Sequence, residues 1–418
     1  MEYRECILGF GKTSVGIRIK NENFLGELLP NKVNVELTGI DEVKRAIENP
    51  INSKRLRDIV KPGEKIVIIT SDITRPMPSK LVLPLVLDEL YKAGVKDQDI
   101  TIVFALGSHR FHTEDEKKYI VGEEIYNRIN CIDSNPKDYV YLGNTKNGTP
   151  VEIFRPVVEA DRRICLGNIE YHYFAGYSGG AKAIMPGVST RRAIQANHSR
   201  MIEEKAMAGI LDMNPVREDI DEIGNFINID FILNVVLNEK KGIIKAVAGH
   251  YIDAHREGCK FLDRFYKVKI KEKADIVITS AGGYPKDLNL YQAQKALDNA
   301  KNAVKKGGII ILVASCKEGL GEKVFEEWIL EASKPEELIE RIKKNFTLGG
   351  HKAAAIAMVL QNAKIFLVSE LPDDFVRSIF MEPFNDVQEA LEKAYQELGY
   401  DSKVLLMPVG GSTLPVIY

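Results

Sequence analysis

Lys65–Thr70 reads KIVIIT and breaks at once into SDITRPMPS, residues 71–79, before an amphipathic stretch at Lys80–Ala93. An unbroken run of β-branched and apolar residues predicts a strand buried on both faces, as in a sheet covered by helices. The same unit recurs. Ile100–Leu106 (ITIVFAL) leads through GSHRFHT, residues 107–113, to a helix from about Glu114. Arg163–Ile169 (RICLGNI) leads through a glycine-rich segment to a helix from about Ser189. Asp275–Ser280 (DIVITS) leads through AGGYPKD to a helix at about Asn289–Lys305. Ile309–Ala314, Ala363–Val368 and Val404–Met407 read as further buried strands. Strands alternating with helices predict an α/β protein with mainly parallel sheets.

A chain of 418 residues exceeds one ordinary core, so two such domains are expected. The charged stretch FYKVKIKEK, residues 265–273, precedes a fresh strand–loop–helix series and places the boundary near residue 268. That gives an N-terminal α/β domain over 1–268 and a C-terminal one over 269–418. The hairpin-like Cys6–Lys20 serves either as an edge element or as a cover over one sheet.

Composition narrows the function class. Fifty-seven basic and fifty-nine acidic residues give a net charge of −2, which argues against general binding to nucleic acid or membrane surfaces. No run of about 18 apolar residues is present to span a bilayer, and MEYRECILGFGK lacks the pattern of a secretory signal. Five scattered cysteines without a CxxC pair argue against a disulfide framework or a cysteine zinc site, and a reducing cytosol is expected.

The unusual polar residues stand directly after strands: Asp72 and Arg75, His109 and His112, His172, and the Gly282–Tyr284 loop. Carboxyl ends of neighbouring strands share one crevice in open α/β sheets, so distant residues can meet there. Exposed loops are polar in any protein, and a single such loop would mean little. Four of the seven histidines, His109, His112, His172 and His198, lie between residues 109 and 198. Imidazole is both the usual proton shuttle near neutrality and the commonest transition-metal ligand.

GNIEYHYFAGYSGGAKAIMPGVSTRRAIQANHSR, residues 167–200, is the densest segment. Lys182 lies there among Ala181, Ala183 and Ile184, a setting that lowers an amine's pKa and makes it a nucleophile or covalent anchor. GGAK departs from the phosphate-loop pattern, because Ala183 follows the lysine. Ser189 or Thr190 is suited to cap the next helix, with His198 about two turns in. Tyr291 and Lys295 share a helix face at i, i+4, and with Gln292 they could clamp a carboxylate.

Together, SDITRP, GSHRFHT, EYHYFAGYSGGAKAIMPG with Asn197–His198, and YPKDLNLYQAQKAL resemble the nickel-dependent lactate racemase family, in order, over about residues 60–300. The resemblance implies two α/β domains with an active-site cleft between them. It implies a nickel-pincer nucleotide, a pyridinium-3,5-bisthiocarboxylate mononucleotide holding Ni(II) through carbon and two sulfurs, attached covalently at Lys182. Lys182 and His198 are the residues it puts at the metal, as tether and as ligand. His109 and His172 resemble the family's alternate general bases. Asp72, Arg75, Lys182 and His198 fall at cofactor positions, and Arg75, Tyr291, Gln292 and Lys295 at substrate positions. The implied reaction interconverts D- and L-lactate by proton-coupled hydride transfer through pyruvate, in a cytoplasmic enzyme that other proteins supply with cofactor.

His109 is favoured over His112 as base because it stands closer to its strand end. Phe346–Lys352 (FTLGGHK) adds His351 and Lys352 as lid residues suited to a larger or more acidic 2-hydroxy acid such as malate. Racemisation or epimerisation of such an acid is one alternative function. A pyridoxal-phosphate enzyme built on Lys182 and a non-catalytic hinged carboxylate-binding protein are the others.

Overall fold

In a computed structural model that describes residues 2–238 and 240–417, the chain divides into two compact units. One is Val33–Asp263; the other joins Met1–Lys32 to Arg264–Tyr418. The sequence pattern assigns residues 1–268 to a single domain, whereas the first 32 residues belong to the unit built on the C-terminal sheet. Among the described residues no helix is long and apolar enough to cross a membrane.

In the Val33–Asp263 unit, six strands order as Ile243–Gly249, Phe231–Leu237, Arg162–Asn168, Ile66–Ser71, Ile100–Ala105 and Asn130–Asp133. All neighbours are parallel except the first pair. Ile68 pairs in register with Ile102 on one side and Ile164 on the other, and all three are fully buried. Truncating such a residue to alanine typically costs about 2–5 kcal/mol. The chain moves from Ile66–Ser71 outward to Ile100–Ala105, then returns to lay Arg162–Asn168 on the opposite side. This reversal opens a crevice at the strands' carboxyl ends.

The other unit holds six parallel strands, ordered Glu382–Phe384, Ala363–Val368, Val304–Val313, Ala274–Ser280, Val404–Met407 and Phe24–Glu27. Its reversal falls at Ala274–Ser280, which runs through the AGGYPKD loop into the helix Leu290–Ala300. The antiparallel hairpin Tyr3–Phe10 and Thr13–Lys20 alternates exposed and buried residues. Cys6, Leu8, Ile17 and Ile19 join Ile276, Ile278, Ile309 and Leu391 in one apolar cluster. The hairpin therefore covers a sheet face, while Phe24–Glu27 adds the edge strand. A two-stranded ribbon with one apolar face is marginal alone, and the sheet that buries it decides its domain.

Candidate active site

The loop after Ile66–Ser71 begins with Asp72, only 5% exposed. One carboxylate oxygen accepts the Thr74 amide at 2.7 Å, and the other lies 3.0 Å from His109 Nδ1. Burial would raise this carboxyl's pKa. The hydrogen bond and charge of His109, helped by Thr74, outweigh burial and hold it below the usual value. With Asp72 accepting from Nδ1, the Nε2 of His109 is the nitrogen available to exchange a proton, the arrangement a general base requires. Sequence reasoning puts Asp72 at the cofactor; its carboxylate partner in the structure is His109. That pairing joins two loops 37 residues apart, and sequence spacing carries no signal for it.

His112 serves a different purpose. Its Nδ1 lies 2.7 Å from Asp133 and its Nε2 accepts the Ile73 amide at 3.1 Å. With both nitrogens engaged and the side chain 1% exposed, the ring braces the Asp72 loop and has no lone pair left for a substrate. Thr113 then starts the helix Glu114–Val121 through a reciprocal capping box with Glu116.

The third strand end, after Arg162–Asn168, leads to a short hairpin of Tyr171–His172 and Gly176–Tyr177. His172 stacks on Tyr173 at 5.6 Å and meets the edge of Phe174 at 4.4 Å. The Ala175 amide donates to its Nδ1 at 3.3 Å. Burial, followed by the charges of Lys182, His198, Arg75 and Arg217, holds the imidazole pKa well below its ordinary value. The ring is therefore neutral near pH 7.

Lys182 stands in a single tight turn, Gly180–Ala183. Gly180 has φ +62, its amide donates to Asn234 Oδ1 at 2.7 Å, and an added Cβ would lie 2.9 Å from His255. Only glycine combines that backbone with so close an approach. Burial, then Arg217 and Arg75, push the Lys182 amine well below the usual lysine range, with Glu170 opposing. Among the described residues this amine has no hydrogen-bond or ion-pair partner, and neither has the exposed Arg75 guanidinium.

Thr190 is the cap of the helix Arg191–His198; its hydroxyl accepts the Ala193 amide at 3.2 Å. His198, at that helix's end, is 7% exposed, and its Nδ1 lies 2.8 Å from Asn197 Oδ1. The Asn197 amide nitrogen donates to the Val216 carbonyl, so Oδ1 is the acceptor and His198 Nδ1 the donor. The ring is thus oriented from behind through Nδ1, as imidazole metal ligands are.

Several supporting residues carried no sequence signal. Arg217, fully buried, donates to the Ala175 and Tyr177 carbonyls and pairs with Asp221 at 3.4 Å. The hydroxyls of Tyr171 and Tyr177 donate to Asp263 at 2.8 and 2.7 Å. His255 Nε2 donates to the Ser178 carbonyl at 2.8 Å beneath the glycine turn. These groups clamp the hairpin and the lysine turn from residues far along the chain. His109, His172, Lys182, His198, Asp72 and Arg75 all belong to this unit.

Tyr291, Gln292 and Lys295 belong to the other unit, on the helix Leu290–Ala300, which Asn289 caps by accepting the Gln292 amide at 3.0 Å. Gln292 and Lys295 are exposed. Tyr291 packs against Phe325 at 5.8 Å and His351 at 6.5 Å.

A metal–nucleotide group with anionic arms asks for an acylable amine, unpaired cations and one imidazole nitrogen. Lys182, Arg75 and His198 meet those demands. Among the described residues no three His, Cys, Asp or Glu side chains gather to hold a metal ion. A group that brings three metal donors of its own needs only one from the protein.

The lactate racemase N-terminal domain model matches residues 10–209, and the lactate racemase C-terminal domain model matches residues 269–415. The lactate racemase of Thermoanaerobacterium thermosaccharolyticum is 38% identical, with 97% of each chain covered. That of Lactiplantibacillus plantarum is 34% identical, covering 96% of this chain and 97% of its own. The solved lactate racemase apoprotein from T. thermosaccharolyticum superposes with a TM-score of 0.88 at 36% identity, covering 99% of this chain and all of the other. The chain belongs to the lactate racemase family.

Proposed function

We propose that the protein is an isomerase that interconverts D- and L-lactate, using His109 and His172 as alternate proton carriers and a nickel-pincer nucleotide held by Lys182 and His198. The observation that carries this reading is the Lys182 amine: part-buried, unpartnered among the described residues, and held toward its neutral form beside His172 and Arg75. A neutral amine is the nucleophile needed to form a covalent link, and the link would remove one of the cations that press on His172. When bound, the group supplies a centre that accepts and returns the carbinol hydrogen as hydride.

The chain's own residues carry the remaining work. His109 Nε2 takes or returns the hydroxyl proton of one enantiomer, with Nδ1–H held by Asp72. His172 does the same for the other enantiomer. Two carriers are needed because the hydroxyl points to opposite sides in the two acids. Arg75 holds the substrate carboxylate through paired N–H donors, and Lys295, Tyr291 and Gln292 orient it. Five unpaired cysteines support a reducing cytoplasmic setting, with other proteins supplying the cofactor.

The test compares protein made with and without the cofactor-making proteins, by intact mass, nickel content and chiral chromatography of lactate. Expected are an adduct mapping to Lys182, bound nickel, and racemisation only in the loaded sample. Lys182→Ala should lose the adduct. Absence of both adduct and racemisation in the loaded sample overturns the proposal.

A further inference from the structure

Phe174 is buried, and its ring stands steeply against two imidazoles. It lies at 82° to His172 with centroids 4.4 Å apart, and at 69° to His198 with centroids 4.9 Å apart. The phenyl ring is thus a spacer between the two histidines, and whatever places Phe174 places them.

That task falls to residues 40 positions further along the chain. Asn214 is fully buried and uses both ends of its side chain. Its amide nitrogen donates to the Phe174 carbonyl at 2.9 Å and to the Ile210 carbonyl at 3.1 Å. The Ile210 carbonyl fills the space where a side chain at Gly176, the residue paired with His172, would collide. Asn214 Oδ1 accepts the Val216 and Arg217 amides, each at 3.1 Å, and so caps the helix Pro215–Glu222. Aspartate would cap as well but has no hydrogen to donate, and serine is too short to serve both sides.

The first turn of that helix does the rest. Arg217 donates to the Ala175 carbonyl at 3.3 Å and to the Tyr177 carbonyl, and the Ala175 amide donates to His172 Nδ1. The Val216 carbonyl accepts from Asn197 at 3.1 Å, and Asn197 Oδ1 accepts from His198 Nδ1. Stability is a weak reason for the arginine. Desolvation of a fully buried guanidinium offsets what Asp221, at 3.4 Å, gives back.

Resting on the racemase reading of His172 and His198, we propose that Asn214 and Arg217 are positioning residues. Acting through the backbone of residues 174–177 and through Asn197, they fix one proton carrier and the metal-binding imidazole at a single separation across Phe174. Proton-coupled transfer needs both rings in place at once. An error in their separation therefore lowers kcat and spares substrate affinity.

The test compares parent, Asn214→Ser and Arg217→Lys proteins, nickel-free and nickel-loaded. Asn214→Ser keeps the helix cap and drops the donor to Phe174; Arg217→Lys keeps the charge and drops the paired donors. In nickel-free protein with isotope-labelled histidine, the ring NMR signals of His172 and His198 should move in both variants. Those of His109 and His112, held by Asp72 and Asp133, should stay. Loaded variants should lose about 10- to 100-fold in kcat per bound nickel, with KM within about twofold of the parent. Urea denaturation establishes that each variant is folded, and if Arg217→Lys does not fold, Asn214→Ser decides alone. Ring signals that do not move, or that move equally at His109 and His112, overturn the inference. So does parent-level kcat in folded, loaded Asn214→Ser. A loaded parent that racemises nothing removes the racemase reading and this inference together.

Discussion

The loop carrying His109 and the hairpin carrying His172 end neighbouring parts of one sheet, yet they treat the same side chain in opposite ways. His109 stands 3.0 Å from a buried carboxylate and is 22% exposed. His172 is packed between aromatic rings, faces Lys182, His198, Arg75 and Arg217, and accepts a backbone amide at Nδ1. The first arrangement sets a proton on Nδ1 and leaves Nε2 to accept another. The second, with only a long 3.3 Å amide contact at Nδ1, disfavours the charged ring. Histidine chemistry is thus set by the group behind the ring, and two proton carriers need not be equivalent in a reaction that uses both.

The largest effect should come from removing either ring. His109→Ala and His172→Ala are each expected to lower kcat for racemisation about 10³-fold, within the range for a lost proton carrier. Chiral chromatography from each pure enantiomer measures it. Near-parent equilibration by one variant would break the pairing of the two histidines.

Asp72→Asn should lower kcat about 10- to 100-fold while leaving KM near the parent value, because the amide can support the wrong tautomer. A purely structural role would not shift the acid limb of the pH–rate profile, and this variant should. Stability offers an independent check. The folded Asp72 carboxyl lies below its unfolded value of about 4, so its contribution is present above that pH and lost as pH falls through the folded value. Urea midpoints of Asp72→Asn should accordingly depend less steeply on pH below about 4.

His112→Ala should act on stability more than on chemistry. It leaves the buried Asp133 carboxylate with the backbone amide of residue 112, at 2.9 Å, and Lys117, at 3.4 Å, and a loss of about 2–4 kcal/mol is expected by urea denaturation. Activity per folded molecule should remain within about tenfold of the parent, whereas loss of a proton carrier reaches about 10³-fold. Thr74→Val should do least. Its hydroxyl is 3.4 Å from His109 Nδ1, beyond a good hydrogen bond, and kcat should change less than about twofold. A larger drop would mean that Thr74 shares with Asp72 the task of fixing the His109 tautomer.

The strands Ile66–Ser71, Ile100–Ala105 and Ala363–Val368 match the apolar runs that announced them to within a residue. Continuous β-branched stretches have few stable alternatives to a covered parallel sheet, and local pattern suffices. The helix expected to run from Asn289 to Lys305 ends instead at Ala300, and Val304–Val313 begins a strand earlier than its apolar core implied. Ends depend on caps and neighbours more than on periodicity.

Residue types and their order along the chain determined the α/β class, the strand-end loops and the chemistry concentrated in Gly167–Arg200. They could do so because apolar periodicity and a glycine-bounded lysine are local properties. Tertiary structure alone decided that residues 1–32 complete the C-terminal unit, that Asp72 stands behind His109 while Asp133 occupies His112, and that the Lys352 amine lies on the Tyr291 ring. Each of these joins groups distant in sequence. A buried charge or a half-apolar ribbon takes its meaning from what packs against it, and the chain's order alone does not specify that partner.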